Sequence, residues 1–118
     1  MSRDFALHDG NLAGRQVGML SYDETQKRFS MSVDSGVPLV DLPLSLEVLV
    51  NKGNYQIGHD ATLHWVRSRL CPPGRHNIKE ILSGIGLKEY DEFKMIAATA
   101  GKCDKDDLYL LELLPIKA

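Results

Sequence analysis

Gln16-Val17-Gly18-Met19-Leu20-Ser21-Tyr22, then Asp23-Glu24-Thr25-Gln26, then Arg28-Phe29-Ser30-Met31-Ser32-Val33 is the stretch whose reading decides the fold class. The first run places Val17, Met19 and Ser21 on one side of an extended chain. The acidic and polar tetrapeptide after it is turn material. The second run alternates through Phe29, Met31 and Val33, the period of a half-buried strand. Two such runs around a short polar turn predict an antiparallel hairpin with one face on the core and one in water.

Downstream, Ser35-Gly36-Val37-Pro38 breaks the pattern, and Val40 to Val50 becomes strongly apolar. Leu42, Leu44, Leu46, Val48 and Val50 share one alternation, so this segment reads as a further strand. Pro43 confines it to a sheet edge or a strand start. Asn51-Lys52-Gly53-Asn54 is a turn by composition. The second half then takes up a helical period. Asp60 caps a first helix, which must end near Cys71 because Pro72-Pro73-Gly74 cannot continue it. Asn77 with Glu80 resembles a capping box. The stripe Ile78, Ile81, Leu82 and Ile85 follows, with Gly84 and Gly86 as stop signals. Asp91 caps a third helix with the stripe Phe93, Ile96, Ala97 and Ala100, ended by Gly101. Leu108 to Leu114 returns to strand character and is expected to pair with the early sheet. Strands, then helices, then a strand predict an α+β fold: a small antiparallel sheet packed with about three helices in one domain over residues 1–118.

The composition sets limits on function. A chain of 118 residues with net charge −2 creates no global field that would recruit nucleic acid or an anionic membrane. Its apolar runs are far too short to span a bilayer, and Met1-Ser2-Arg3-Asp4-Phe5 lacks the apolar core of a signal peptide. The expected location is the cytoplasm, with no membrane partner. Cys71 and Cys103 make neither a disulfide framework nor a CxxC site, so both are expected as thiols.

Each catalytic or metal pattern fails on spacing. His8, His59, His64 and His76 are scattered, and His59 and His64, five apart, diverge on a helix. Asp104, Asp106 and Asp107 begin like a calcium loop, but Tyr109 stands where glycine is needed and Pro115 where glutamate is needed. They read as a solvated acidic turn. Gly101-Lys102 lacks the rest of a phosphate loop, and Gly84-Ile85-Gly86 is a helix end rather than a dinucleotide fingerprint. No Gly-x-Ser-x-Gly turn is present, and Cys71 has no base beside it in sequence. The chain is therefore expected to be no enzyme, with no metal and no cofactor.

The residue least at home in its own helix is the single tryptophan, Trp65. At about 100° per residue, Leu63, Val66 and Leu70 form a stripe, and Trp65 points nearly opposite, beside Ala61 and Ser68. Either another element of the chain covers Trp65 or a partner does, since tryptophan is the residue most enriched at binding hot spots. Arg67, Arg69, Arg75, His76 and Lys79 cluster around the Pro72-Pro73-Gly74 corner. That cluster is either a solvated face or a site for phosphate or carboxylate. An aromatic anchor ringed by arginines is also the usual make-up of a protein interface. The partner-binding candidates are accordingly Trp65, His64, Arg67, Ser68, Arg69 and Arg75. The alternative function is a nucleic-acid-associated accessory protein using the Arg67–Lys79 patch.

The order of motifs resembles a known family. Arg15-Gln16-Val17-Gly18-Met19-Leu20, Phe29 in the next strand and Leu42-Pro43-Leu44-Ser45-Leu46 resemble the "RVGxL", "F" and "PLSLSLP" strands of the N-terminal subdomain of HipA-like Ser/Thr kinases. Leu70-Cys71-Pro72-Pro73-Gly74 is similar to that family's "LLP" corner. Asp91-Glu92-Phe93 through Gly101 to Asp104 is similar to its following helix and turn. The resemblance covers residues 5 to 114 and stops where the family's kinase core would begin. The chain departs from the pattern at Trp65-Val66, where the family carries a Phe-Phe pair, at Cys71, and at Asp106-Asp107. A subdomain of this kind made separately looks like a HipS-like antitoxin of a tripartite toxin–antitoxin module. The resemblance implies as partner a HipA-like kinase toxin lacking its own N-terminal subdomain. It also implies a helix-turn-helix DNA-binding protein of the same operon, with DNA reached only indirectly through that complex. In this frame Trp65, aided by Arg67, Arg69 and His64, is expected to face the kinase.

Overall fold

The structure is a computed structural model, and it describes residues 2–50, 54–70, 74–103 and 106–113. The hairpin forms from β2 (Arg15–Asp23) and β3 (Arg28–Val33), antiparallel, with Leu20 opposite Met31 and Tyr22 opposite Phe29. The Asp23 carboxylate accepts the Thr25 and Gln26 N–H groups, and Lys27 in the left-handed region closes the turn. The inward face of β2 differs from the expected one. Leu20 is fully buried and Met19 only partly so. The cause is a register shift: His8 pairs with Gln16 and Leu7 with Gly18, which leaves Val17 as an extra, unpaired residue. Such a bulge turns the alternation over by one position, so Val17 and Leu20 are both buried.

Two further strands were not anticipated from the sequence. β1 (Ser2–Asp9) lies between β2 and β5 (Leu108–Leu113), with Phe5 opposite both Leu20 and Glu112. β4 (Gln56–Ile57) pairs with the outer edge of β3. The sheet order is β4-β3-β2-β1-β5, antiparallel throughout, so the final strand does return to the early sheet as expected.

The apolar run from Val40 is not a strand. It forms a 3-10 turn (Leu39–Asp41) and a short helix, α1 (Leu44–Glu47), entered through Pro43. Proline presets the backbone for a helix start and lacks the N–H a ladder needs. The apparent alternation separates into two sets four apart: Leu42, Leu46 and Val50 are buried, whereas Val40, Leu44 and Val48 are exposed. The Asn51–Gly53 part of the expected turn lies outside the described residues.

Three longer helices follow: α2 (His59–Ser68), α3 (Ile78–Gly84) and α4 (Glu92–Thr99). Asp91 caps α4 as expected, accepting the Lys94 N–H at 2.9 Å, while Asn77 makes no side-chain cap bond to α3. Ala100 and Gly101, both at positive φ, end α4 and turn the chain toward β5. α4 is fixed to the sheet by Phe93, which stacks on Tyr22 at 4.2 Å between ring centres and meets Phe5 edge-on at 6.0 Å. Phe5, Leu7, Leu20, Phe29, Met31, Trp65, Val66, Phe93 and Ile96 belong to one core. The fold is thus α+β, with a five-stranded antiparallel sheet.

Candidate functional site

α2 shows which face the protein chooses to bury, and Trp65 is on it. Thr62, Trp65, Val66 and, just past the helix, Arg69 are buried, with Leu63 and Leu70 partly so. Trp65 is only 3% exposed. This corrects the expected outward orientation. An apolar stripe counted from Leu63, Val66 and Leu70 omits Thr62 and Arg69 because they are polar, yet both are inside and shift the buried face toward Trp65. Each is provided with partners. The Thr62 hydroxyl donates to the Ile57 carbonyl at 3.4 Å, and Arg69 donates from Nε, Nη1 and Nη2 to acceptors.

Arg69 and Asp106 form the most built-up polar contact in the molecule. Arg69 Nη1 and Nη2 donate to the two carboxylate oxygens of Asp106 at 2.8 and 2.6 Å, and Nε donates to the Gly101 carbonyl at 2.6 Å. The two side chains are 1% and 7% exposed. Asp106 also accepts the Ser45 hydroxyl and the Leu108 N–H. Burial opposes the charged form of Asp106. The hydrogen bonds and charge of Arg69, with those of Leu108 and Ser45, outweigh it and hold the carboxyl below its ordinary value. Asp106 is therefore not part of a solvated acidic turn. This network ties α2, the end of α4, the start of β5 and α1 to one point. The Arg69 guanidinium also lies 4.8 Å from the centre of the Trp65 ring. The indole Nε1 of Trp65 is buried and finds no acceptor among the described residues.

The remaining expected site residues stay at the surface. His64 and Ser68 are exposed on the outer side of α2, and Ser68 donates its hydroxyl to the Trp65 carbonyl at 2.6 Å. Arg67 is exposed and donates to Glu92 at 3.1 Å. Arg75, His76 and Lys79 are exposed, and Cys71, Pro72 and Pro73 before them lie outside the described residues. The expected arginine cluster is thus split: Arg69 turns inward and Arg67 meets an acid. Cys103, half-buried, is a free thiol.

A surface feature hidden in the sequence adjoins the outer side of α2. Leu44 and Val48, 72% and 62% exposed, project from α1 and, with Pro43, Ser45, Ser68 and Asp106, line a cleft of about 370 Å³. The signal was present as four-residue spacing, but it was masked by the stronger two-residue alternation. Among the described residues, no three His, Cys, Asp or Glu side chains are placed to hold a metal ion, and no helix is long and apolar enough to cross a membrane. No protein-family model, curated protein or solved structure matches the chain.

Proposed function

We propose that the chain is a small antitoxin that binds a HipA-like Ser/Thr kinase toxin lacking its own N-terminal subdomain and neutralises it by direct contact. The observation that carries this reading is the exposed Leu44–Val48 ridge running into the Ser68 side of α2. Leu44 of the ridge falls in the Leu42–Leu46 segment on which the family resemblance partly rests, and Val48 lies just beyond it. Adjacent exposed apolar side chains beside polar Ser45, Ser68 and Asp106 are the composition of a protein interface rather than of a solvated surface. Exposed His64, on the same outer side of α2 as Ser68, is the basic side chain of α2 nearest in sequence register to this face. Trp65 and Arg69 are buried, and they support the docking face from beneath rather than meeting the partner directly. A helix-turn-helix protein of the same operon supplies DNA contact, so DNA is reached only through the complex.

The test is neutralisation of the kinase in co-expressing cells. Leu44→Asp/Val48→Asp changes only exposed positions, so the protein is expected at normal levels while growth arrest returns. Trp65→Phe, which keeps most of the buried ring, is expected to weaken neutralisation in part. Full neutralisation by the Leu44→Asp/Val48→Asp variant at equal expression would contradict the reading. A nucleic-acid accessory role through Arg67, Arg75, His76 and Lys79 predicts DNA or RNA binding by the purified chain that falls steeply with salt. The inward turn of Arg69 and the Arg67–Glu92 pair weaken that alternative.

A further inference from the structure

Asp9 ends β1 with one carboxylate oxygen used and one idle. Its Oδ1 accepts the Asn11 N–H at 2.9 Å, while Oδ2 is buried and meets no donor among the described residues. The residue is 1% exposed. A buried carboxylate oxygen without a donor is unfavourable, and a cationic donor is what relieves it. Asp9 lines a cleft of about 370 Å³ with Asn11, Val40, Asp41, Pro43 and Asp107. Asp106 reaches the same cleft, but its charge is matched by Arg69. None of the described residues lining the cleft is basic. The carboxylates are spread around it rather than convergent on a point, so an extended organic cation suits it better than a metal ion.

We propose that this cleft receives the guanidinium of an arginine side chain presented by a protein partner. A guanidinium carries five donors in a planar fork and can satisfy Asp9 Oδ2 together with Asp41 or Asp107. The protein origin of that arginine follows from the lip of the cleft. Val40 there is 89% exposed, and Pro43 and Asp106 are shared with the adjoining Leu44–Val48 cleft. One continuous surface thus offers an acidic socket beside an apolar ridge. That the partner is the kinase rests on the function proposed above; the chemistry of the socket does not.

The test titrates the full ¹⁵N-labelled chain with acetyl-Leu-Arg-Leu-amide and, separately, with the same peptide carrying norleucine for arginine. The arginine peptide is expected to give saturable shifts at Asn11, Asp41 and Asp107, and the norleucine peptide none there. Asp41→Asn/Asp107→Asn, both at exposed positions, should weaken the arginine peptide about tenfold. Asp9→Asn should weaken it as well. Equal shifts with both peptides, no saturation, or unchanged affinity in the double variant would overturn the proposal. Arginine amide binding as tightly as the tripeptide would overturn the assignment to a protein partner. Peptide binding without kinase binding would leave the socket standing and remove the kinase reading. Kinase binding without peptide binding would do the reverse.

Discussion

At the scale of single residues, Arg69 and Asp106 matter most because each holds the other in a place neither could occupy alone. Removing one partner of a buried pair commonly costs about 3–5 kcal/mol, a large share of the roughly 5–15 kcal/mol that stabilises a small domain. Asp106→Asn is therefore expected to lower the urea midpoint sharply at pH 7. The pH dependence has a definite sign. The Asp106 carboxyl is held below its ordinary value of 3.8, so its contribution is fully present above that pH and is lost as the pH falls through the depressed folded value. The stability gap between the native chain and Asp106→Asn should thus narrow below about pH 4, read by denaturant melts across pH 2–7. A gap that stays constant would show that Asp106 does not act through its charge. Gly18 is the second decisive residue. A Cβ there would come within 2.3 Å of the Ser32 carbonyl oxygen on the neighbouring strand. Gly18→Ala is expected to cost about 1–3 kcal/mol, measurable as a fall in Tm, although glycine in a strand is otherwise the weaker choice. The glycine of the "RVGxL"-like motif thus has a local steric reason to be present.

At the scale of elements, legibility followed how many physical signals agreed. β3 and α4 were readable because period, turn chemistry and capping all pointed the same way, down to the Asp91 cap. β1 was not, because Phe5, Ala6 and Leu7 are flanked by Arg3, Asp4, His8 and Asp9 and show no clean alternation. The structure resolves this with specific partners. Arg3 bonds Glu112 through Nε and Nη2, each at 2.7 Å, and lies over Phe93. The phase of β2 was lost at the Val17 bulge, which leaves no mark in composition. The site was legible only in part. The sequence indicated α2 but misjudged its buried face, since Thr62 and Arg69 are inside by virtue of hydrogen bonds rather than apolarity. α1 shows the same lesson in reverse, and a charge scan checks it. Leu44→Asp and Val48→Asp are expected to change stability by no more than about 0.5 kcal/mol. Leu46→Asp, which buries a charge where Leu46 is fully enclosed, should abolish cooperative unfolding. Equal sensitivity of the three positions in thermal melts would mean that α1 does not present the faces described.

At the scale of the whole molecule, the sheet, α2 and α4 share one core, and α1 sits beside α2 with Leu46 in that core and Leu44 outward. The Arg69–Asp106 network keeps α1 and α2 in fixed relation through Ser45, so the proposed docking surface is preorganised. That surface spends exposed Leu44 and Val48 on something other than the chain's own stability. The measurement that tests this most directly is the affinity of the purified full chain for a HipA-like kinase lacking its own N-terminal subdomain, alongside Leu44→Asp/Val48→Asp. The native chain should bind, and the variant, folded as shown by an unchanged melting curve, should bind at least about 30-fold more weakly, as truncating hot-spot contacts of about 2 kcal/mol requires. No binding by the native chain, or equal binding by the folded variant, would contradict the account.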